Sequence, residues 1–303
     1  MRVDPFYVTN LAGSLDQTQA TEQQLTQEIA SGVRVNSLSE DPAAAGEDVL
    51  LLNQINRDDS FTQTANLVQG QLQVADSALG SVVSQLTQAI SLATSANNGT
   101  LNASDLKSVS NQIAGIRDEV QSLANSNYQG QYIFAGGQTG TAPFTTSNTS
   151  SPATTTYNGD TDVNYVQTPN GQTIQLNVPG SQIFTASGAN SVFTALNNLV
   201  ADYANGSNTG AGVADTEALN SALNYVSSQR VVLDNSITRL TAASDAVTSE
   251  QTQLTAAQTN LMQADLPTIS TQLSLAETQQ TALEDVISQL GTGSLFDKLP
   301  LGG

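Results

Sequence analysis

The stretch that decides the fold runs from Leu219 to Leu261 and reads LNSALNYVSSQRVVLDNSITRLTAASDAVTSEQTQLTAAQTNL. A seam position recurs in it at alternating steps of four and three residues, at Leu219, Leu223, Val226, Arg230, Leu233, Ile237, Leu240, Ser244, Val247, Gln251, Leu254, Gln258 and Leu261. Side chains with this spacing lie on one face of an α-helix. Because the spacing persists over many turns, it is typical of a coiled coil and predicts a helix over residues 215–263.

A second ladder with this spacing lies in the N-terminal half of the chain. Its members are Phe61, Ala65, Val68, Leu72, Ala75, Leu79, Val82, Leu86, Ala89 and Ala93. Asp41 can accept hydrogen bonds at an N-cap and Pro42 fits the first helical position, so a helix is expected over residues 42–96. The fold class predicted is mainly α with a β insert, in which the two terminal regions form a long antiparallel, coiled-coil-like helical rod.

The composition changes between the ladders. Residues 138–160 are rich in Thr, Ser, Asn and Gly, which indicates a loop. Residues 162–167 and 172–178 are expected to be strands joined by a turn at Asn170-Gly171. Ile183-Phe184 is expected to close this small central β-rich domain.

The chain is predicted to contain five segments. They are an N-terminal assembly helix and turn (1–40), the N-terminal half of the rod (41–130), an outward-facing β-rich insert (131–190), the C-terminal half of the rod (191–263), and a C-terminal assembly helix and tail (264–303). Two further helices are expected over 104–126 and 191–204, and residues 205–214 are expected to form a flexible linker.

Two shorter stripes flank the rod. The first contains Leu11, Leu15, Thr18, Glu22, Leu25 and Ile29, and the second contains Ile269, Leu273, Ala276, Gln280, Leu283, Ile287 and Leu290. Pro267 separates the second stripe from the long helix, since proline interrupts a helix interior. Because small and polar residues dilute both stripes, we expect these segments to be poorly ordered in the monomer and to order on assembly.

The residue types that are absent restrict the chemistry of the chain. It has no Cys and no His, which excludes disulfides, the usual zinc and transition-metal sites, and Ser-His-Asp or Cys-His triads. The net charge of −19 would repel nucleic acid and anionic membranes. Apolar runs are too short to span a bilayer or form a signal peptide; the chain is therefore expected to be cytoplasmic, or exported by a route that reads no such peptide.

No motif in the sequence predicts an enzyme, a cofactor or a metal site. Asp160, Asp162 and Asn164 resemble the start of a calcium loop, but Tyr165 and Gly171 stand where such a loop needs Gly and Glu. A carboxylate-dependent enzyme in the β insert stays open as an alternative, although no pair of carboxylates is marked for it.

Arg34 has two open interpretations. It is one of eight basic residues and lies between the first two predicted helices, close to Glu40 and Asp41. It is either a surface charge near a helix start, or a contact that fixes the loop or a neighbouring subunit.

Several blocks of sequence resemble, in the same order, those of the flagellin superfamily and within it the hook-associated proteins of the hook–filament junction. SGVRVNSLSEDPAA (31–44) is similar to the family's turn and carries Arg34, Asn36 and Asp41. The other blocks are VADSALGSVVSQLTQAISLATSANNGTL (74–101), NSNYQGQYIFAGGQT (125–139), ADLPTISTQLSLAETQQTALEDVISQL (264–290) and SLFDKL (294–299).

The resemblance implies a structural adaptor of the bacterial flagellum, extracellular and exported by the flagellar secretion system without a cleaved signal peptide. The implied partners are further copies in a ring, a neighbouring hook-associated protein, flagellin and an export chaperone. The implied assembly interface consists of Leu11, Leu15, Leu25, Ile29, Arg34, Asn36, Asp41, Leu273, Leu283, Ile287, Leu290, Leu295 and Phe296. A bulk flagellin, the filament subunit itself, is the alternative; the SLFDKL and QYIFAG stretches favour the junction protein.

Overall fold

Two compact units make up the chain. The computed structural model describes residues 7–186, 188, 191–207 and 210–292. The first unit combines the two ends of the chain, Met1–Asn56 and Glu250–Gly303, and the second unit is Arg57–Ser249. This division differs from the five predicted segments, because the unit boundaries lie inside the two longest helices.

Most described residues are helical. The helices are α1 (Tyr7–Ser31), α2 (Pro42–Asn97), α3 (Ala103–Ala124), α4 (Gly180–Phe184), α5 (Val192–Ala204), α6 (Ala211–Met262) and α7 (Leu266–Thr292). Within this part of the chain, no helix is both long and apolar enough to cross a membrane. The mainly α class predicted from the sequence is confirmed.

Three antiparallel hairpins lie between α3 and α4. They pair β1 (Asn127–Tyr128) with β2 (Gln131–Tyr132), β3 (Phe144–Ser147) with β4 (Thr154–Tyr157), and β5 (Tyr165–Gln167) with β6 (Thr173–Gln175). The predicted strand pair is confirmed as β5–β6, and Gly171 in its turn has a φ of 81°, which glycine adopts without strain.

The ladder predicted in the N-terminal half forms the core of the second unit. All ten of its residues, from Phe61 to Ala93, are buried on α2. They pack in one apolar cluster with residues of α6, including Leu219, Val226 and Leu233. Burying this much apolar surface is the main stabilising term of the unit.

Polar side chains fix the register of α2 against α6 inside the second unit. The Arg230 guanidinium donates to both carboxylate oxygens of Asp76, at 2.8 and 3.0 Å. Gln69 donates to Thr241 at 3.1 Å. Asn97, near the end of α2, donates to Thr216 at 3.0 Å near the start of α6, so residue numbers fall along one helix as they rise along the other. The predicted antiparallel pairing is confirmed.

The β-rich insert is held to the helices by aromatic rings. The ring of Phe144 lies 5.1 Å from Tyr157, 5.3 Å from Phe184 and 5.1 Å from Phe193, measured between centroids. Phe193 belongs to α5, so this cluster joins the hairpin β3–β4 to a helix. Aromatic pairs at these separations are favourable beyond their buried area.

Three details of the predicted insert and linker are wrong. Residues 138–160 contain the hairpin β3–β4 instead of a plain loop, because β-branched threonines pair across it, as Thr146 and Thr155 do at 2.7 Å. Ile183 and Phe184 lie in the short helix α4. The expected linker 205–214 is shorter than predicted because α6 begins at Ala211, and its first turn packs against Tyr203.

A buried hydrogen-bond network closes the junction of α5 with α2 and α6. The Tyr203 hydroxyl donates to Asn97 Oδ1 at 2.8 Å, and the Asn97 amide donates to the Gly212 carbonyl at 3.1 Å. A Cβ at Gly212 would collide with the Tyr203 hydroxyl, so only glycine fits there. Burial raises the pKa of Tyr203 to about 12, so the phenol stays protonated and can donate.

A pair of carboxyl groups lies beside this network. Burial, followed by the hydrogen bond and charge of Asp215, raises the pKa of Asp202 to about 6. Asn198 donates to Asp215 Oδ1 at 2.9 Å. The folded chain therefore binds a proton at Asp202 more tightly than an unfolded chain does.

Replacing Leu79 by Ala tests the seam. Leu79 is completely buried on α2, whereas Leu67, on the same helix, is 49% exposed. We expect Leu79→Ala to lower the free energy of unfolding by about 2–5 kcal/mol and Leu67→Ala to lower it by less than about 0.5 kcal/mol, measured by urea unfolding. Equal losses in the two variants would show that the ladder is not the core.

Replacing Asp202 by Asn tests the carboxyl pair. A raised folded-state pKa makes the contribution of Asp202 to stability fall as the pH rises from its ordinary value of 3.8 to about 6. The difference in unfolding free energy between Asp202→Asn and wild type should therefore grow in the variant's favour across that window and level off above it. Asp245→Asn removes an exposed carboxylate from α6 and is the matched control; the same pH profile in both variants would contradict the assignment.

Candidate assembly interface

The two terminal helices of the first unit pack against each other. Leu25 of α1 forms a buried cluster with Ala264 and with Ile269 of α7, and Leu273 packs against that cluster. The end of α1 thus meets the start of α7, so the two helices are antiparallel. The expectation that the terminal segments are poorly ordered in the monomer stays a prediction; at this contact the two stripes supply each other's apolar partners.

The predicted interface residues differ in burial. Leu25 is buried within the chain, Leu11, Leu15, Leu273, Leu283 and Ile287 are half-buried, and Ile29 is exposed. Leu290 belongs to α7. Leu295 and Phe296 lie outside the described residues. Since Leu25 is covered by its own chain, it supports α1 from inside, and the half-buried leucines lie along the helix pair.

A short backbone bridge ties the turn after α1 to the break between α6 and α7. Gly32, with a φ of 70°, ends α1 and accepts at its carbonyl from the Ala264 amide at 3.0 Å. The Arg34 amide donates to the Met262 carbonyl at 2.7 Å. These two hydrogen bonds fix the position of the turn after α1 relative to the break between α6 and α7.

Arg34 fixes this turn within its own chain. Its guanidinium lies 3.3 Å from Asp41 Oδ2 and donates to the Leu261 carbonyl at 3.3 Å. That carbonyl belongs to the last turn of α6, where a positive charge is favourable. Of the open interpretations, the contact that fixes the loop is the one the structure supports, and the side chain is still 45% exposed.

Asp41 caps α2 as the sequence predicts. Its Oδ1 accepts from the Ala44 amide at 3.0 Å. That hydrogen bond, reinforced by Arg34, lowers the pKa of Asp41 below its ordinary value. The stabilising contribution of the carboxylate is therefore present at neutral pH and is lost as the pH falls through the folded-state pKa.

Asn36 and Glu40 complete the turn. Glu40 Oε2 accepts from the amides of Asn36 at 2.7 Å and Ser37 at 3.2 Å, and the Asn36 amide hydrogen bond lowers the pKa of Glu40. The Asn36 side chain donates to the Val33 carbonyl at 3.1 Å. Glu40 was missed as a turn-forming residue, although its position before Asp41 in an acidic pair is the signal that could have found it.

Exposed apolar side chains are frequent on the first unit. Leu50 is 71% exposed, Leu38 70%, Leu275 58% and Val49 55%. Leu52, Leu266, Val286 and Ile29 are exposed as well. Heptad spacing does not reveal this surface, because it marks the buried face of each helix. The run Val49-Leu50-Leu51-Leu52, which is apolar on every side of the turn, is its sequence signal.

The interior of the first unit is correspondingly small. Between α2 and α6, polar pairs replace the apolar ladder: Gln54 donates to Glu250 at 2.7 Å and Gln258 donates to Asp48 at 2.9 Å. The unit therefore has little apolar burial of its own and much apolar surface outside.

The acidic residues of the β insert have structural partners. Asp160 Oδ1 accepts from the amides of Gly137 at 2.6 Å and Asp162 at 3.0 Å, and a Cβ at Gly136 would collide with Asp160. Asp160 thus holds two loop segments together.

Comparison with known proteins finds similarity to flagellar proteins over part of the chain. Residues 7–139 match the model of the bacterial flagellin N-terminal helical region. Flagellar hook-associated protein 3 of Salmonella typhimurium is 30% identical over 187 residues, which cover 61% of this chain and 57% of that protein. Flagellar hook-associated protein 3 of Escherichia coli is 32% identical over 139 residues, covering 46% and 44%. The chain is thus similar, over part of its length, to bacterial flagellin and to hook-associated proteins.

A solved structure shares the fold. The putative flagellar hook-associated protein of Vibrio parahaemolyticus superposes with a TM-score of 0.65 at 21% identity, covering 74% of this chain and all of that one. In sequence, the chain spans about half the length of the two hook-associated relatives.

Two substitutions at Asp41 separate its two roles. Asp41→Asn keeps a cap acceptor but loses the attraction for Arg34, and Asp41→Ala loses both. We expect hydrogen exchange of the Ala44 and Ala45 amides to be fastest in Asp41→Ala and intermediate in Asp41→Asn. Glu47→Ala, at an exposed site on α2, should leave both amides unchanged. Wild-type exchange rates in Asp41→Ala would mean that the cap does not hold this end of α2.

Proposed function

We propose that the protein is a structural adaptor that forms the junction between hook and filament of the bacterial flagellum. The observation that carries this proposal is the exposed apolar surface of the first unit, which is paired with a small interior. Such a surface favours association, because its burial between copies supplies the apolar stabilisation that the isolated unit lacks. The two relatives are named flagellar hook-associated proteins, which supports a place next to the hook.

The mechanism is helix–helix association on a preformed surface. Arg34, Asn36 and Asp41 act inside the chain, where they fix the turn that sets α1, α2 and α7 in relation to one another. The half-buried side chains of α1 and α7, with Leu38, Leu50 and Leu275, then meet neighbouring subunits. Repetition of the same contact around a closed ring gives a stable assembly even when each single contact is weak.

The partners follow from this role. Further copies of the chain form the ring, a neighbouring hook-associated protein lies on the hook side, and flagellin adds on the filament side. An export chaperone covers the apolar surface before secretion, since exposed leucines would otherwise cause aggregation. The protein is extracellular on the flagellum and reaches it through the flagellar secretion system without a cleaved signal peptide.

Leu50→Asp tests the proposed surface. Because Leu50 is 71% exposed, the substitution should leave the thermal melting of the purified chain unchanged and prevent its incorporation into flagella. Incorporation is measured by motility and by immunoblotting of sheared flagella in a strain whose own copy is deleted. Tyr165→Asp, at a site 61% exposed in the β insert, is the matched control and should support normal motility.

Two outcomes would overturn the proposal. Normal incorporation of Leu50→Asp would remove the apolar surface of the first unit from assembly. If the wild-type chain is the dominant band of the sheared filament, the protein is the filament subunit and not the adaptor, which should be a trace component.

A further inference from the structure

A cleft of about 500 Å³ lies in the second unit between β4, the segment after α4, and the start of α5. Pro152 to Thr155 form one wall, Thr185 and Ala186 another, and residues 191–198 the third. Its volume falls within the range of small-molecule sites. The cleft belongs to the second unit, whereas the residues used in the proposed junction role belong to the first, and that role does not explain it.

The lining is neutral and rich in hydrogen-bonding groups. The polar side chains that line it include Thr154, Thr155, Thr185, Thr194, Asn197 and Asn198. Among the described lining residues, none carries a charge. Hydroxyl and amide groups both donate and accept hydrogen bonds, so the cleft matches a ligand that offers several neutral donors and acceptors at once.

The polar groups of the cleft are held in place by the surrounding structure. Asn197 is 3% exposed; it donates to Thr155 at 3.2 Å and accepts from Arg117 at 3.5 Å. The hydroxyls of Ser191 and Thr194 are 2.8 Å apart. Because these side chains are already ordered, a ligand would not have to order them, which reduces the entropic cost of binding.

Apolar groups complete the lining. Pro152, Ala153 and the largely buried Phe193 also line the cleft. A ligand suited to this site presents C–H surface on one side and hydroxyl groups on the other. Sugar rings have that combination, and a lining hydroxyl oxygen, which can accept two hydrogen bonds, can accept one from a sugar in addition to its bonds within the chain.

We propose that this cleft binds a neutral saccharide unit. A sugar acid of the same size is disfavoured, because the lining supplies no cation to it and the chain carries a net charge of −19. A metal cation is disfavoured because no carboxylate lines the cleft among the described residues. The site is independent of assembly, so an adaptor and a filament subunit could both carry it.

The test is a titration of the ¹⁵N-labelled full chain with glucose, N-acetylglucosamine and glucuronate, followed by amide chemical shifts. We expect the neutral sugars to shift amides of residues 152–155 and 191–198, with a Kd on the order of 1 mM, and glucuronate to bind at least about tenfold more weakly. Absence of shifts with both neutral sugars, or equal binding of glucuronate, would overturn the proposal.

Matched variants connect the binding to the cleft. Thr154→Arg fills its rim and should weaken binding at least about tenfold, while Thr156→Arg, two residues along β4, exposed and outside the lining, should bind as wild type. Thr194→Val keeps the shape but removes one hydroxyl and should weaken binding about twofold to tenfold. Unchanged affinity in both Thr154→Arg and Thr194→Val would show that the sugars bind elsewhere.

Discussion

Packing of the α2 ladder against α6 is the interaction on which the second unit depends. Each ladder residue from Phe61 to Ala93 is buried, and the same apolar cluster extends through α3 and α5 into the aromatic rings under the β insert. The three hairpins are only two strands each, and isolated two-stranded hairpins are marginally stable in water. The insert therefore keeps its shape because the helical core supplies the surface on which Phe144 and Tyr157 pack.

The spacing of apolar residues was sufficient to predict this core. Apolar residues spaced at alternating steps of four and three fall on one face only in a helix. The helices α2 and α6 were therefore predictable from sequence. The cap at Asp41 was predictable as well. The hairpin β3–β4 was not, because its Thr-rich strands have the composition of a loop, and their pairing depends on Phe144 reaching rings from α4 and α5. The start of α6 at Ala211 likewise depends on packing against another helix. The hydroxyl of Tyr203 in α5 leaves room only for glycine at position 212.

The candidate interface was predictable in part for a related reason. Arg34, Asn36 and Asp41 stood out by residue type and position, and the structure brings them into one turn. Each of them hydrogen bonds within the chain. The surface around Leu50 was harder to recognise. Sequence periodicity identifies the buried face of a helix and carries no information about an apolar face that stays exposed in the single chain.

The way in which α2 and α6 are held in register has a consequence for ionic strength. Within each unit, most of the cross-helix polar contacts involve an amide or a hydroxyl, as in Gln69 with Thr241, Asn97 with Thr216 and Gln258 with Asp48; Arg230 with Asp76 is the ion pair among those described. Dissolved salt screens attraction between charges and leaves neutral hydrogen bonds largely intact. It also screens the repulsion among 27 acidic residues that face eight basic ones. We therefore expect the helix register within each unit to depend only weakly on ionic strength.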